Sequence, residues 1–339
     1  MPVPPKVVRR LVLAPLVLTV EIATLLVSPV LVVAAALLSP IFGGWRPLRL
    51  TLVTLAFVSR HAAALLACFG LWAAGGMRRS ATSQRERRRL YELMAWFVGG
   101  VFGDVVRLAR VEVRVSESDA AGAVLSARNR PVILLGRHAG EGDTLLVLFE
   151  LLCPHRRGPR IVLHERLRLD PLIDLLGGRL PNRFVDPRGG DVEGDIAALA
   201  AGLNDNDALV IFPEGANFSH SARERAIARL QEGGHDEWVA SARAMAHVSP
   251  PRPGGTLAAI DAAPGADVVV LAHAGFPVGV REVWRDLPRR QVIHVRLWHQ
   301  PAEALPRERA AQIDWLLHRW REMDAWVGEQ HSGPATGQR

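Results

Sequence analysis

Apolar residues are unevenly distributed along the chain. From Leu11 to Leu38 nearly every position is apolar, with Glu21 and Pro29 as interruptions, and a second apolar stretch runs from about Leu50 to Trp72 with Arg60 and His61 near its middle. About twenty apolar residues span a hydrocarbon core, so both stretches are long enough to cross one. Beyond Leu90 the pattern changes. Leu90, Leu93, Met94, Phe97, Val98, Val101, Phe102, Val105 and Val106 recur at the i, i+3, i+4, i+7 spacing of an amphipathic helix. Short apolar runs then alternate with helical patterns. The predicted strands are Val111–Val115, Pro131–Leu135, Arg160–Leu163, Arg183–Val185, Ala208–Phe212, Val268–Ala272 and Val292–Trp298. Helices are predicted after Asp143, after Leu167, over Val192–Leu203, twice between Ala222 and Ala246, and over Arg307–Val327. Strands separated by helices predict an α/β domain, a mixed sheet flanked by helices.

The division that follows is an N-terminal hydrophobic helical hairpin over 1–76, a basic amphipathic linker helix over 77–110, the α/β domain over 111–330 and a disordered tail over 331–339. A cleaved signal peptide has a shorter apolar core and no second segment, so a membrane anchor is expected instead. A charge at mid-bilayer is costly, so the second segment either spans, or forms a re-entrant or interfacial helix with Arg60 reaching headgroups; ordinary packing of a helical hairpin accounts for Arg60 and His61 equally well. Lys6, Arg9 and Arg10 precede the first segment, and Arg78, Arg79, Arg85, Arg87, Arg88 and Arg89 follow the second. Positive-inside logic places both ends in the cytoplasm and the loop carrying Arg46 and Arg49 outside. The expected location is the cell membrane, with the catalytic domain on the cytoplasmic side. The linker helix either lies in the membrane interface or covers one face of the sheet, and the second reading is preferred.

Composition adds less. The chain has 339 residues, 49% of them hydrophobic, and a net charge of +7 that is almost wholly arginine, Lys6 being the one lysine. This balance suits anionic lipid or phosphorylated substrates; membrane lipids are the expected partner and nucleic acid is not. Cys68 and Cys153 form neither a disulfide framework nor a zinc spacing. His164-Glu165 and His235-Asp236-Glu237 lack the further ligands of a metal site, so no metal is expected. There is no Gly-x-Ser-x-Gly elbow, Gly-x-x-x-x-Gly-Lys loop or His-Glu-x-x-His helix. Trp315, Trp320 and Trp326 read as packing residues of a helix.

Two constellations carry candidate chemistry. Gly136-Arg137-His138-Ala139-Gly140-Glu141-Gly142-Asp143 joins an apolar strand to an apolar helix. Residues five apart are about 500° apart around a helix. His138 and Asp143 therefore meet only if the His lies on the turn and the Asp opens the helix, with Gly140 and Gly142 supplying backbone freedom. A carboxylate on one imidazole nitrogen leaves the other free to take a proton from a hydroxyl. The alternative is that Asp143 is simply an N-cap. The second constellation, Leu209-Val210-Ile211-Phe212-Pro213-Glu214-Gly215, is a buried strand ending in a tight corner, and strand ends of open α/β sheets bind ligands. Its alternative is a plain turn with Glu214 paired to an arginine.

Together the two motifs, His138-x4-Asp143 and, about seventy residues on, Phe212-Pro213-Glu214-Gly215, resemble the lysophosphatidate and glycerophosphate acyltransferase family. Looser matches are Leu176-Gly177-Gly178 through Phe184-Val185-Asp186-Pro187-Arg188, Pro251-Arg252-Pro253-Gly254-Gly255, and the strand from Val268 to Phe276 that ends near Pro277. The resemblance covers Leu90 to Pro301. It implies that His138 acts as base on an acceptor hydroxyl and that Asp143 orients it. The alkoxide then attacks an acyl thioester directly, and backbone amides stabilise the oxyanion. Arg188, Glu214 and Gly215 would belong to the acceptor site. The implied partners are a lysophospholipid acceptor, 1-acylglycerol-3-phosphate foremost, and acyl-CoA or acyl carrier protein as co-substrate, with no other cofactor. The chain departs from the family where Ala216 and Asn217 stand in place of Thr-Arg. Arg223 or Arg225 would then have to bind the phosphate, or the acceptor headgroup differs. The stretch from Ser219 to Gly255 is similar to that of the lysophospholipid-remodelling branch. A non-catalytic lipid-binding protein on the same fold, or an acyltransferase for a glycolipid or an amine, remains the alternative.

Overall fold

The computed structural model describes residues 3–332 apart from 75–82, 118, 141, 187–188, 234–235 and 277–279. Seven strands form one sheet in the order β1-β7-β6-β2-β5-β3-β4: β1 Val111–Glu117, β2 Val132–Gly136, β3 Gly158–His164, β4 Arg183–Val185, β5 Asp207–Ile211, β6 Asp267–Ala274 and β7 Gln291–Gln300. Every predicted strand is present, shifted by a few residues at its ends. The sheet is mixed: β2 runs parallel to both β5 and β6, β3 is parallel to β4 and β5, and β7 lies antiparallel to β6. β2, β5 and β6 are buried along their whole length. Strands covered on both faces read as continuous apolar runs, and these do. Ile133 and Leu135 face one core with Leu209, Val268, Val270 and Trp320, while Val132 and Leu134 face the other with Val210, Leu271, Leu146 and Phe102. The closing helix, Arg309–Ser332, lies on the first face. It includes His331 and Ser332, the first two residues of the predicted tail.

The linker helix covers the second face, as preferred from the sequence. It spans Gln84–Leu108 and opens on a capping box in which Ser83 and Glu86 satisfy each other's amides. Phe102 stacks on Phe149 of the Asp143–Leu152 helix with ring centroids 4.0 Å apart. Its other side meets the Arg46–Ala74 helix, where Leu90 joins Ala64, Leu65 and Cys68 in a separate apolar cluster.

The N-terminal region differs from the predicted hairpin. The first apolar stretch is two helices, Lys6–Leu26 and Ser28–Phe42, bent by 59° where Pro29 enters the second. A proline is tolerated in a helix's first turn but cannot continue the preceding one. The loop with Arg46 and Arg49 is fastened to the α/β domain. Arg46 Nε donates to the Trp284 carbonyl at 3.0 Å, and Arg49 Nη1 to the Leu287 carbonyl at 2.8 Å. The N-terminal end is fastened too, by Arg9 Nη2 to Asp174 Oδ1 at 2.8 Å. The loop expected on the outer side is thus in direct contact with the α/β domain. Positive-inside counting weighs charges without knowing their partners, and these arginines have partners in the domain. Arg60 does not reach outward either. It forks onto Asp104 of the linker helix and lies over Gly100, where a Cβ would collide with its guanidinium. His61 sits buried between Glu21 Oε1 at 2.5 Å and Asp170 Oδ1 at 3.3 Å. The three helices thus lie along the domain with their outer faces uncovered. Except for Trp96, Val115, Leu167 and Leu169, every exposed large apolar side chain among the described residues falls between Val7 and Phe69.

This arrangement predicts the sidedness of the loop. In sealed proteoliposomes, a cysteine replacing Trp45 is expected to react with a membrane-impermeant maleimide on the same side as one replacing Glu232 in the α/β domain. Labelling from opposite sides contradicts it.

Candidate active site

β2, β5 and β6 end at the same edge of the sheet, and the two sequence motifs meet there. After Gly136 the chain turns, and Asp143 becomes the first residue of the next helix, with Gly142 as its N-cap residue. Asp143 does not cap its own helix. Its carboxylate reaches back to the turn, where Oδ2 accepts from the amides of Ala139 at 2.5 Å and Gly140 at 2.7 Å and lies 3.2 Å from His138 Nδ1. The plain N-cap reading therefore does not hold. Gly142 has φ −83°, so no left-handed conformation is needed there. Its missing Cβ instead makes room for the Phe276 ring. Gly136 likewise leaves space for Phe212, whose ring lies 4.8 Å from the His138 imidazole.

The side chain of His138 is 25% exposed while that of Asp143 is wholly buried. Nε2 of His138 makes no hydrogen bond to any described residue, so the imidazole presents one free nitrogen from a protected base. Burial alone would raise the Asp143 pKa, but His138, His273 and the Gly140 amide outweigh it and hold the carboxyl well below the usual carboxylate range.

His273 escaped the sequence reading. It lies fully buried in β6, its Nε2 3.0 Å from Asp143 Oδ1. Neither nitrogen has an aligned hydrogen-bond partner, so the contact is one of charge and position rather than a formed hydrogen bond. A lone histidine inside the apolar run of β6 was the available signal.

Glu214 holds the second motif to the first. Its Oε1 accepts from the His138 amide and its Oε2 from the Ser249 amide, both at 2.9 Å. It pairs with no arginine at hydrogen-bond distance and is buried, so it serves as a clamp under the site rather than as an acceptor contact. Burial dominates its titration and raises its pKa to about 7, against the two amides, Arg137 and His138, which lower it. Arg137 ties the same turn to β6 and to the 246–249 loop through the carbonyls of His273 at 2.5 Å and His247 at 2.9 Å. Asp324 fixes that loop by accepting from the amides of residues 246, 247 and 248.

The arginines separate. Arg188 lies outside the described residues. Arg223 is spent on the backbone: Nε donates to the Met245 carbonyl at 2.5 Å and Nη2 to that of Arg243 at 2.8 Å, while Nη1 pairs with Glu224. It has no face left for a phosphate. Arg225 is exposed on the His220–Glu232 helix. Arg252 is the one the corner brings in. Gly215 has φ +71°, and a Cβ there would lie 3.1 Å from the Arg252 guanidinium carbon. The Arg252 amide donates to the Pro213 carbonyl at 2.8 Å. Burial and the neighbouring Arg229 lower its pKa. No described carboxylate pairs with Arg252. The amides of residues 138, 139 and 140 are already engaged by Glu214 and Asp143, so they do not serve as the expected oxyanion donors.

Replacing Glu214 by Gln sets an amide group against an amide N–H and should lower stability by about 1–3 kcal/mol. The raised pKa gives the sign with pH. Between its ordinary and folded values the native state holds more proton, so this residue's contribution declines from about pH 5 to about pH 8. Thermal melts of Glu214→Gln and the parent should therefore converge as pH rises; a gap that widens contradicts the assignment.

Comparison with protein-family models and with curated proteins found no match to this chain.

Proposed function

We propose that the protein is an acyltransferase that moves a fatty acyl chain from acyl-CoA or acyl carrier protein to a hydroxyl of a lysophospholipid, 1-acylglycerol-3-phosphate foremost. The observation that carries the reading is the His138–Asp143 pair, buried on the carboxylate side and open at Nε2, beside the Glu214-Gly215 corner. It fits the resemblance of the two motifs to lysophosphatidate acyltransferases.

Nε2 of His138 takes the proton of the acceptor hydroxyl as its oxygen attacks the thioester carbonyl carbon. Asp143 stabilises the imidazolium that forms. The tetrahedral intermediate collapses, the carbon–sulfur bond breaks, and His138 returns the proton to the departing thiolate. Ester and thiol are the products, and no acyl-enzyme forms.

Arg252 takes the headgroup role for which the family's arginine after Phe-Pro-Glu-Gly is missing. It lies against Gly215 near Arg229, is only partly desolvated and pairs with no carboxylate among the described residues. A guanidinium binds phosphate as a fork. Arg188 and Arg225 remain candidates for the same headgroup. The uncovered apolar faces of the N-terminal helices suit one leaflet of a membrane, with the domain resting on it.

With purified protein, acyl-CoA and 1-acylglycerol-3-phosphate, His138→Ala should reduce turnover by about 10²–10⁴-fold while membrane association persists. Unchanged turnover removes the mechanism. Arg252→Ala should raise the acceptor KM about ten- to hundredfold, the loss of charge-assisted hydrogen bonds worth about 1.5–3 kcal/mol. The donor KM should stay in place; equal changes in both would detach Arg252 from the headgroup.

A further inference from the structure

A second concentration of charge lies at the opposite edge of the sheet, where β3 and β5 begin. A cavity of about 1370 Å³ opens between the first turns of the Gln84–Leu108 helix and the loops entering these strands. Arg85, Arg87, Arg88, Arg128, Arg156 and Arg157 line it. Two of the six are accounted for. Arg157 is buried and donates to the carbonyls of Val124, Leu125, Arg130, Asp205 and Asp207, which makes it the peg of these loops. Arg88 pairs with Glu92 along the helix. Of the three acidic residues that line the cavity, Glu92 pairs with Arg88 and Asp207 is held by Arg160 and Asn204, which leaves the Asp205 carboxylate as the one not paired with any described residue. Arg85, Arg87, Arg128 and Arg156 enter no ion pair with any described residue.

Three further features set this cluster apart from a solvated basic face. The Nε of Arg87 is buried with no hydrogen-bond partner. Arg128 and Arg156 both have left-handed backbones, at φ 51° and 53°. Long L side chains rarely adopt this conformation, and such strain collects at binding sites. The like charges are also felt, because the Arg157 pKa is lowered to about 10 by burial first and by Arg128 second.

The cavity also has an apolar side, formed by Tyr91, Ala95 and Leu152. Tyr91 packs in the cluster beneath the Arg46–Ala74 helix, whose outer face exposes Leu66 and Phe69. No residue of the N-terminal helices lines the cavity, and Tyr91 is what links it to them; arginines without an ion pair among the described residues, in a domain that also carries exposed apolar helices, are the combination that an anionic leaflet matches.

We infer that this cavity is a binding site for the phosphate headgroups of anionic phospholipids, separate from the His138 site and occupied while the N-terminal helices rest in the same leaflet. The inference does not depend on acyl transfer being the reaction.

The test uses the full-length purified protein and vesicles of phosphatidylcholine alone or mixed with phosphatidylglycerol. Two double variants remove charge from different elements: Arg128→Asn with Arg156→Asn, since asparagine tolerates the left-handed backbone, and Arg85→Gln with Arg87→Gln. The parent should bind the mixed vesicles more tightly. Each double variant should lose about tenfold or more of that preference and keep its binding to phosphatidylcholine, with thermal melts showing that it is folded. An undiminished preference in both folded variants overturns the site. Inorganic phosphate provides the second arm. If it stabilises the parent but not the variants against heat while vesicle preference is unchanged, the cavity takes a soluble anion, and the headgroup assignment fails.

Discussion

A carboxylate without solvent contact has to find its partners inside the protein, and Asp143 finds them on both sides. Two backbone amides and His138 meet one oxygen, and His273 lies against the other. The group is therefore held as an anion despite the cost of burial, which is the condition for it to fix an imidazole rather than protonate itself. Three consequences follow from this one contact. The 138–143 turn is closed without unusual glycine geometry. His138 is oriented through Nδ1, and its free nitrogen is left on the accessible side.

The second motif depends on the first through Glu214. By accepting from the His138 and Ser249 amides, this carboxylate sets the spacing between the ends of β2 and β5 and the loop leading to Arg252. Asp324 and Arg137 repeat the device from the closing helix and from the turn itself. Glu214 and Asp324 have backbone amides on both oxygens, and buried carboxylates partnered in this way specify a single arrangement. The site is built on strand ends and clamped from three directions, so the His138 ring keeps a fixed position relative to the Gly215 corner.

Much of this was legible in the sequence because it rests on local patterns. Short apolar runs located all seven strands, although only β2, β5 and β6 are buried throughout, and helical spacing located the linker helix and favoured its covering one face of the sheet. Strand, turn and helix order allowed the His138–Asp143 pairing beside a plain N-cap, and the second motif favoured it. What escaped depends on contacts between distant segments. Arg9, Arg46 and Arg49 look like topogenic charges, yet they hydrogen-bond the α/β domain. Arg60 reads equally as a charge reaching for headgroups or as a packing residue, and only the contact with Asp104 names its partner. Arg223 stands at a suitable sequence distance for a phosphate, but its guanidinium is used by carbonyls twenty residues on. Arg252 approaches Gly215 through a backbone turn that spacing does not reveal. His273 is a single polar residue in an apolar strand, and only three-dimensional register sets it against Asp143.

The protonation of the His138 ring is the most direct test of this account, because the free nitrogen and its orienting carboxylate underlie everything proposed for the site. Nitrogen-15 NMR of histidine-labelled protein, read on the neutral form of the ring, should find the proton of His138 on Nδ1 rather than Nε2, and Asp143→Asn should disturb that preference. A neutral ring protonated on Nε2 in the parent protein, or one indifferent to Asp143→Asn, would contradict the central claim.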